Sequence, residues 1–316
     1  MVKLSVNIVT FNSESDIADC LRSLEHQTFR DFRTHIFDNA SSDETLSLIE
    51  PFDADVIRST VNTGFCRAHN ELVRRFPAEY VLFLNPDTVL RPEFLEELVR
   101  ALDARPDAAS ASGKLLRMDG KTIDSTGIIM LRSQRHLDRG AGEPDRGQYD
   151  QPGEIFGPSG AAALYRQKAL EDVAIDGQYF DEDFFAYRED ADLAWRCRLF
   201  GWISIYVPAA VARHRRRVTP ERRSELPNLI NYHSVKNRFL LRMNNMTGSL
   251  YRRDFWLITR RDAEVIGYVL LREWSSIPAL TYIARHFVRL WGKRRSIQAR
   301  VRIDRGKLES WFGHVE

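Results

Sequence analysis

Hydrophobic and polar positions in the first hundred residues alternate between two periods. Residues 4–11 form a short, largely apolar run of the kind a buried strand makes, and residues 15–25 recur with the period of an amphipathic helix. The pattern then repeats. A strand at 34–37 closes in Asp38-Asn39-Ala40-Ser41-Ser42-Asp43, a turn and helix-cap composition, before a helical stretch at 46–49. A strand at 56–59 leads through Asn62-Thr63-Gly64 into a helix ending near Phe76. An apolar strand at 80–84 ends in Asn85-Pro86-Asp87, and Pro92 opens a helix that runs to Ala104. Repeated β-α units predict an α/β fold with a mostly parallel sheet between helix layers. Residues 117–151, with Gly140, Gly142, Pro144 and Gly147, predict a mobile surface excursion. Order resumes at 155–165, a helix is predicted over 189–200 with Gly201 as its stop, and a strand over 203–207. Beyond His214 the pattern becomes basic and mainly helical, which divides the chain into 1–214 and 215–316.

Parallel sheets bind ligands at the carboxyl ends of their strands. Thr10 and Asn12, Asp38 and Asn39, Asn62 and Gly64, and Asn85 and Asp87 fall at four consecutive ends. Each pair alone is ordinary turn chemistry; four in succession point to a binding site. A single carboxylate such as Asp87 suits a hard divalent cation that keeps water ligands and bridges diphosphate oxygens. The second chemical feature lies at 181–192, where six acids are interleaved with aromatics. Crowding and burial raise carboxylate pKa values and can ready one as a general base. Capping of a first helical turn accounts for Asp190 and Asp192 equally well.

Composition narrows the classes. With 43% hydrophobic and 28% charged residues, the 316-residue chain is neither disordered, collagenous nor a disulfide scaffold. Cys20, Cys66 and Cys197 form no CxxC pair, which fits a reducing cytoplasm and no zinc ribbon. No uncharged apolar run approaches the ~20 residues of a spanning helix, and residues 1–11 read as a strand, not a signal peptide. Gly140-Ala141-Gly142 has Asp145 where a dinucleotide fingerprint needs its third glycine. Gly157-Pro158-Ser159-Gly160 is one residue short of a nucleophile elbow, and no P-loop or HExxH occurs. Carboxylate chemistry is what remains.

The ordered motifs resemble the family 2 glycosyltransferases of the Rossmann-like GT-A fold, and within them the bacterial rhamnosyltransferase-like branch. The resemblance is carried by Val9-Thr10-Phe11-Asn12, by Asp38 to Asp43, by Asn62-Thr63-Gly64-Phe65 running to Asn70, and by Phe83-Leu84-Asn85-Pro86-Asp87. It continues in Gly157-Pro158-Ser159-Gly160-Ala161-Ala162, in Phe180-Asp181-Glu182 with Phe185, in Glu189-Asp190-Ala191-Asp192-Leu193, and in Arg196 and Gly201-Trp202. It covers about residues 3–214. The resemblance implies that Thr10, Asn12 and Asp38 line a nucleotide-base pocket, with Asn62 and Gly64 beside base and ribose. It puts Asn85 where the DxD motif has its first acid, leaving Asp87 as the sole carboxylate on Mg²⁺ or Mn²⁺. His214 matches a further metal ligand, a surface histidine being the alternative. Asp190 matches the base of an inverting displacement, Glu189 an orienting acid and runner-up base, and Ser159 and Gly160 contacts to the donor sugar. The implied donor is a nucleotide sugar, dTDP-rhamnose or a UDP-sugar, and the implied acceptor is a lipid-linked or polysaccharide glycan of a bacterial surface. A sugar nucleotidyltransferase would want a Gly-rich loop and a basic residue after the first strand, which residues 10–14 lack. A non-catalytic scaffold at a membrane would not need both Asp87 and Asp190.

The resemblance says little about the last hundred residues, where charge speaks instead. Residues 212–316 carry 23 Lys and Arg against 9 Asp and Glu, and the rest carry 23 against 35, so the two parts have opposite sign. Leu280, Ile283, Ala284, Phe287, Leu290 and Trp291 share one helical face, with Arg285, Arg289 and Lys293 opposite. A basic amphipathic helix suits an anionic membrane and predicts a peripheral protein on the cytoplasmic face of the cell membrane. The alternatives are an apolar face packed on the catalytic part or on a second subunit of a homodimer, and a basic tail folded back on the acidic half. Arg215-Arg216-Arg217, Arg252-Arg253 and Arg260-Arg261 belong to no nucleic-acid recognition module, so no nucleic-acid partner is expected.

Overall fold

The computed structural model describes residues 2–216 and 227–313. In chain order the first half forms β1 (Leu4–Thr10), α1 (Ile17–Glu25), β2 (Phe32–Asp38), α2 (Thr45–Ile49), β3 (Asp55–Arg58), α3 (Phe65–Arg75), β4 (Tyr80–Leu84), β5 (Thr88–Leu90) and α4 (Phe94–Asp103). Then come β6 (Ala108–Arg117), β7 (Ile123–Ser125), β8 (Ile128–Met130), β9 (His136–Asp138), β10 (Gly153–Ile155), β11 (Ala162–Arg166), α5 (Gln167–Val173), α6 (Glu189–Leu199) and β12 (Ile203–His214). The remainder is helical: α7 (Asn228–Asn245), α8 (Gly248–Arg272), α9 (Ile277–Arg285), α10 (Phe287–Gln298) and α11 (Arg305–Ser310).

The main sheet has the order β10-β12-β6-β11-β4-β1-β2-β3, with β5 added on β12 and β7 on β6. β1 pairs in parallel with β2 and β4, and β2 with β3, as the β-α units require. The far half is mixed, because β11 runs antiparallel to both β4 and β6. Alternate side chains of β4 feed two cores, as the period of a strand dictates. Tyr80, Leu82 and Leu84 pack with α1 and α4, whereas Val81 and Phe83 pack with α3, α5 and α6. Leu240, Leu250, Leu290, Ile297 and Phe312 from the C-terminal helices join that second core beside Trp195 of α6. The basic tail therefore folds back on the α6 layer, as one of the alternatives held.

Two expectations fail. The segment 117–151 is no mobile excursion: it forms β7 and the β8–β9 hairpin, and Asp124, Ser125 and Thr126 are fully buried. Its glycines at 120, 127, 140, 142 and 147 all have positive φ, so they make tight turns that L side chains resist. The amphipathic stretch 280–291 is two helices broken at His286, and Leu290 and Lys293, expected on opposite faces, both point inward. Of the Arg215–Arg217 triplet, Arg217 lies outside the described residues. Among those residues no helix is long and apolar enough to cross a membrane.

Candidate active site

Parallel register sets the first group. Thr10 and Asp38 are partners at the ends of β1 and β2, and the Thr10 hydroxyl donates to Asp38 Oδ1 at 2.9 Å. The Ser41 N–H and hydroxyl also donate to Asp38, at 3.0 and 2.5 Å. Asn12, with φ 50°, accepts the Ser42 N–H at 2.9 Å. Asn39 bridges to the next strand end, accepting the Thr63 N–H at 2.9 Å and donating to the Gly64 carbonyl at 3.1 Å. Asn62 accepts the Gly64 N–H at 2.9 Å. Gly64 has φ 85°, and a Cβ there would lie 2.5 Å from the Phe185 ring, so only glycine fits.

A second group forms where β5 pairs with β12, since His214 sits opposite Thr88 and hence beside Asp87. His214 Nε2 lies 3.3 Å from Asp87 Oδ1, and its Nδ1 lies 2.7 Å from the buried Asp124. Arg216 bridges Asp124 at 2.8 Å and Asp138 at 2.6 Å. His214 is buried, which overturns the surface-histidine alternative. Burial pulls its pKa down, but the bonds and charges of Asp124 and Asp87 win and push it up to about 9. These residues fit a divalent cation. Among the described residues the buried Asp87 Oδ1 has no further partner beyond its 3.3 Å ion pair with His214 Nε2, and that histidine is oriented by the Asp124 carboxylate. Asn85 precedes them on the same turn, its N–H bonded to the Ala161 carbonyl at 2.9 Å. Among the described residues no cage of three or more His, Cys, Asp or Glu side chains forms, so water and diphosphate oxygens would complete the coordination.

The acid-rich segment sorts into two kinds of carboxylate. Asp181 meets Lys293 at 2.5 Å and Asn244 at 2.9 Å. Asp183 meets Arg289 at 2.7 Å, Lys293 at 2.8 Å and the Tyr282 hydroxyl at 2.6 Å. Glu182 accepts from Asn70 at 3.1 Å, and Asp192 is bonded to Arg196 at 2.9 Å and Asn245 at 2.7 Å. These four hold structure. Glu189 and Asp190, which open α6, have no cationic side chain bonded to them among the described residues. Asp190 accepts the Gly160 N–H at 3.0 Å and the Ala191 N–H at 2.7 Å. Burial, then the charge of Asp138, raises its pKa, while the two N–H groups support its charged form. Burial and then the charge of Asp190 push Glu189 up to about 8, and among the described residues its Oε2 finds no hydrogen-bond partner. Gly160 approaches so closely that a Cβ would touch the Asp190 carboxylate at 3.3 Å; Ser159 beside it is buried.

The sequence does not single out Asp124 or Asp138, and it shows Arg216 only as part of a basic triplet. Asp124 carried at most a faint signal, a lone acid between Ile123 and the apolar Ile128-Ile129-Met130. Asp138 carried none.

The family model described as glycosyl transferase family 2 matches residues 5–174. An N-acetylglucosaminyl-diphospho-decaprenol L-rhamnosyltransferase of Mycobacterium tuberculosis is 27% identical over 238 residues, covering 67% of this chain and 76% of the relative. Among solved structures, Staphylococcus aureus TarS 1-349 in complex with UDP-GlcNAc superposes with a TM-score of 0.59 at 18% identity, over 94% of this chain and 90% of that one. GalNAc-T7 with UDP, GalNAc and Mn²⁺ gives 0.60 at 14% identity over 77% of this chain, which spans only 48% of that longer one. The structural likenesses establish the GT-A architecture.

Proposed function

The chain belongs to glycosyl transferase family 2, and from that premise we propose that it is an inverting enzyme acting on a nucleotide-sugar donor. The observation that carries the reading is the isolation of Asp190. Among the described residues four neighbouring acids are neutralised or bonded by side chains, whereas Asp190 is left with two backbone donors beside Gly160. In the reaction Asp190 accepts the proton of an acceptor hydroxyl. The freed oxygen pair bonds to the anomeric carbon, and the bond from that carbon to the nucleoside diphosphate breaks, its electron pair leaving with the diphosphate. Thr10, Asn12, Asp38, Asn62 and Gly64 hold the nucleoside, and Ser159 and Gly160 border the donor sugar. Glu189 orients the site. Asp87 and His214 would hold Mg²⁺ or Mn²⁺, whose chemistry is neutralisation of charge growing on the diphosphate.

The acceptor is a lipid-linked or polysaccharide glycan in bacterial envelope synthesis, and the donor is dTDP-rhamnose or a UDP-sugar. The named activity of the mycobacterial relative supports both. Thermal stabilisation by a panel of nucleotide sugars with Mn²⁺ tests the donor. A ligand at ~100 times its dissociation constant stabilises by about 2.7 kcal/mol. Transfer with anomeric analysis by NMR tests the rest. A retained anomeric configuration overturns the inverting displacement.

The enzyme works as a peripheral protein on the inner face of the membrane. Leu270, Leu271 and Trp274 at the α8–α9 corner and Val288 and Trp291 on the outer face of α10 are exposed. Arg272, Arg285 and Arg295 are exposed among them, and the only acid between residues 265 and 303, Glu273, is buried. Apolar anchors within a cationic frame match an anionic bilayer surface. A second copy of the chain is the competing occupant.

A further inference from the structure

Residues 184–188 deliver Glu189 and Asp190 into the site, and their backbone is unusual. Phe185, Tyr187 and Arg188 have φ of 66°, 72° and 71°. Phe185, with ψ −64°, centres a γ-turn in which the Ala186 N–H donates to the Phe184 carbonyl at 2.8 Å. None of the three is glycine, asparagine or aspartate. Bulky residues persist in such conformations only where the surroundings hold them.

The holding groups come from α7. Asn237 Nδ2 donates to the carbonyls of Phe184, Ala186 and Tyr187 at 2.9, 2.7 and 2.7 Å. Asn237 is fully buried, and among the described residues its Oδ1 has no partner, so the amide acts through its N–H pair. Turned over, it would set its oxygen against three carbonyl oxygens, which assigns the orientation. One turn earlier His233 stacks on the Phe185 ring at 4.7 Å, and Lys236 Nζ donates to the Asp183 carbonyl at 2.5 Å. The remaining carbonyl of the turn, that of Phe185, accepts the Cys66 N–H at 3.0 Å. Every carbonyl from 183 to 187 is thus tied down, three of them by one side chain.

We propose that Asn237 is a positioning residue for glycosyl transfer: it holds the 184–188 turn and so places the Asp190 carboxylate, without touching substrate or Asp190. The role rests on the reading of Asp190 as base. It makes α7, which lies beyond the stretch covered by the family model, a working part of the catalytic unit.

Two variants of the full chain test it. Asn237→Asp keeps the shape but turns an oxygen toward three carbonyls; Asn237→Ala removes the donors without adding charge, and stands in should the first not fold. Each is compared with Asp190→Asn in transfer kcat, donor KM, nucleotide-sugar affinity with Mn²⁺, and hydrogen exchange of the peptide over 184–192. A base displaced by about 1 Å loses about 10²-fold in rate. The Asn237 variants should lose kcat on that scale with donor KM and affinity unchanged, and exchange should rise in that peptide alone. Asp190→Asn should lose kcat with exchange unchanged. Wild-type turnover in Asp190→Asn overturns the base reading itself. An inactive Asp190→Asn beside Asn237 variants with wild-type kcat and exchange overturns this proposal alone. Exchange that rises throughout the molecule, with donor affinity lost as well, assigns Asn237 to general stability and also overturns it.

Discussion

The two sides of the site are built by opposite means. On the nucleotide side, Thr10 meets Asp38, Asn12 meets Ser42, and Asn39 meets Thr63, partners 24 to 30 residues apart on neighbouring strand ends. On the base side, Asn237 reaches back 50 residues to Tyr187, and Lys293 reaches 112 to Asp181. The first side uses turn hydrogen bonds, each contributing about 0.5–1.5 kcal/mol. The second uses buried charges, where losing one partner leaves an uncompensated ion. On the proposed nucleotide side the loss of one hydrogen bond should therefore cost less than the loss of one buried charge on the proposed base side.

The sharpest break of the comparison is Asp190→Asn. It should leave fold and donor binding intact and lower turnover by about 10²–10⁴. Stopped-flow or steady-state transfer with purified variant checks it; unimpaired turnover would move the base to Glu189.

Next in size is the buried cluster that anchors the base side. Lys293→Met leaves Asp181 and Asp183 short of a cation and should destabilise by about 3–5 kcal/mol in urea unfolding. Ser41→Ala on the nucleotide side should cost about 1 kcal/mol. Equal losses would erase the contrast. The cluster also predicts a pH response. Burial raises Asp183, but Arg289, Lys293 and Tyr282 outweigh it and hold the carboxyl well below its ordinary range. A depressed carboxylate stabilises fully above its unfolded pKa of about 3.9, and that contribution fades as pH falls through the folded value. Asp183→Asn should therefore flatten the loss of stability below about pH 4.

A smaller effect is expected at the metal pair. Asp124 fixes His214 through Nδ1. Changing such a partner typically lowers metal affinity about 10–100-fold. Asp124→Asn should weaken Mn²⁺ binding on that scale, measured by titration calorimetry or EPR with nucleoside diphosphate present. Unchanged affinity would reduce Asp124 to a packing role.

The same contrast governs what the sequence revealed. Strand ends such as Asp38 and Asn85-Pro86-Asp87 stood out because local composition makes the turns that end β2 and β4. The acid cluster at 181–192 was visible, yet its division into four carboxylates bonded by side chains and two that are not, among the described residues, depends on Lys293, Arg289, Asn244 and Asn245, which nothing local connects to it. The segment 117–151 misled for a related reason. Its glycines resemble loop composition, whereas they serve turns that bury Asp124 against His214. Helical periodicity at 280–291 found a real apolar face but assigned it outward, although Leu290 is claimed by the core beneath α7.

The smallest expected effects belong to the outer surface, where each side chain acts nearly alone. Leu290 and Lys293 face inward, so the surface left for a bilayer is Leu270, Leu271, Trp274, Val288 and Trp291, with Arg272, Arg285 and Arg295 around them. A basic residue near an anionic bilayer contributes roughly 1 kcal/mol, a factor of about five, and salt screens it over a Debye length of about 8–10 Å. Apolar anchoring by Leu271, Trp274 and Val288 is salt-resistant by comparison. Co-sedimentation with phosphatidylglycerol-containing vesicles separates the parts. Arg285→Gln should weaken binding about fivefold at low salt and less at high salt. Trp274→Ser and Val288→Ser should each weaken it by a similar factor at both. If the protein ignores anionic vesicles at low salt, and the serine variants instead shift a dimer to monomer in sedimentation equilibrium, this surface belongs to a second copy of the chain. The base side of the site would then be braced from outside as well as from within, because α9 and α10 carry the exposed patch on one face and the Asp183 partners Tyr282, Arg289 and Lys293 on the other.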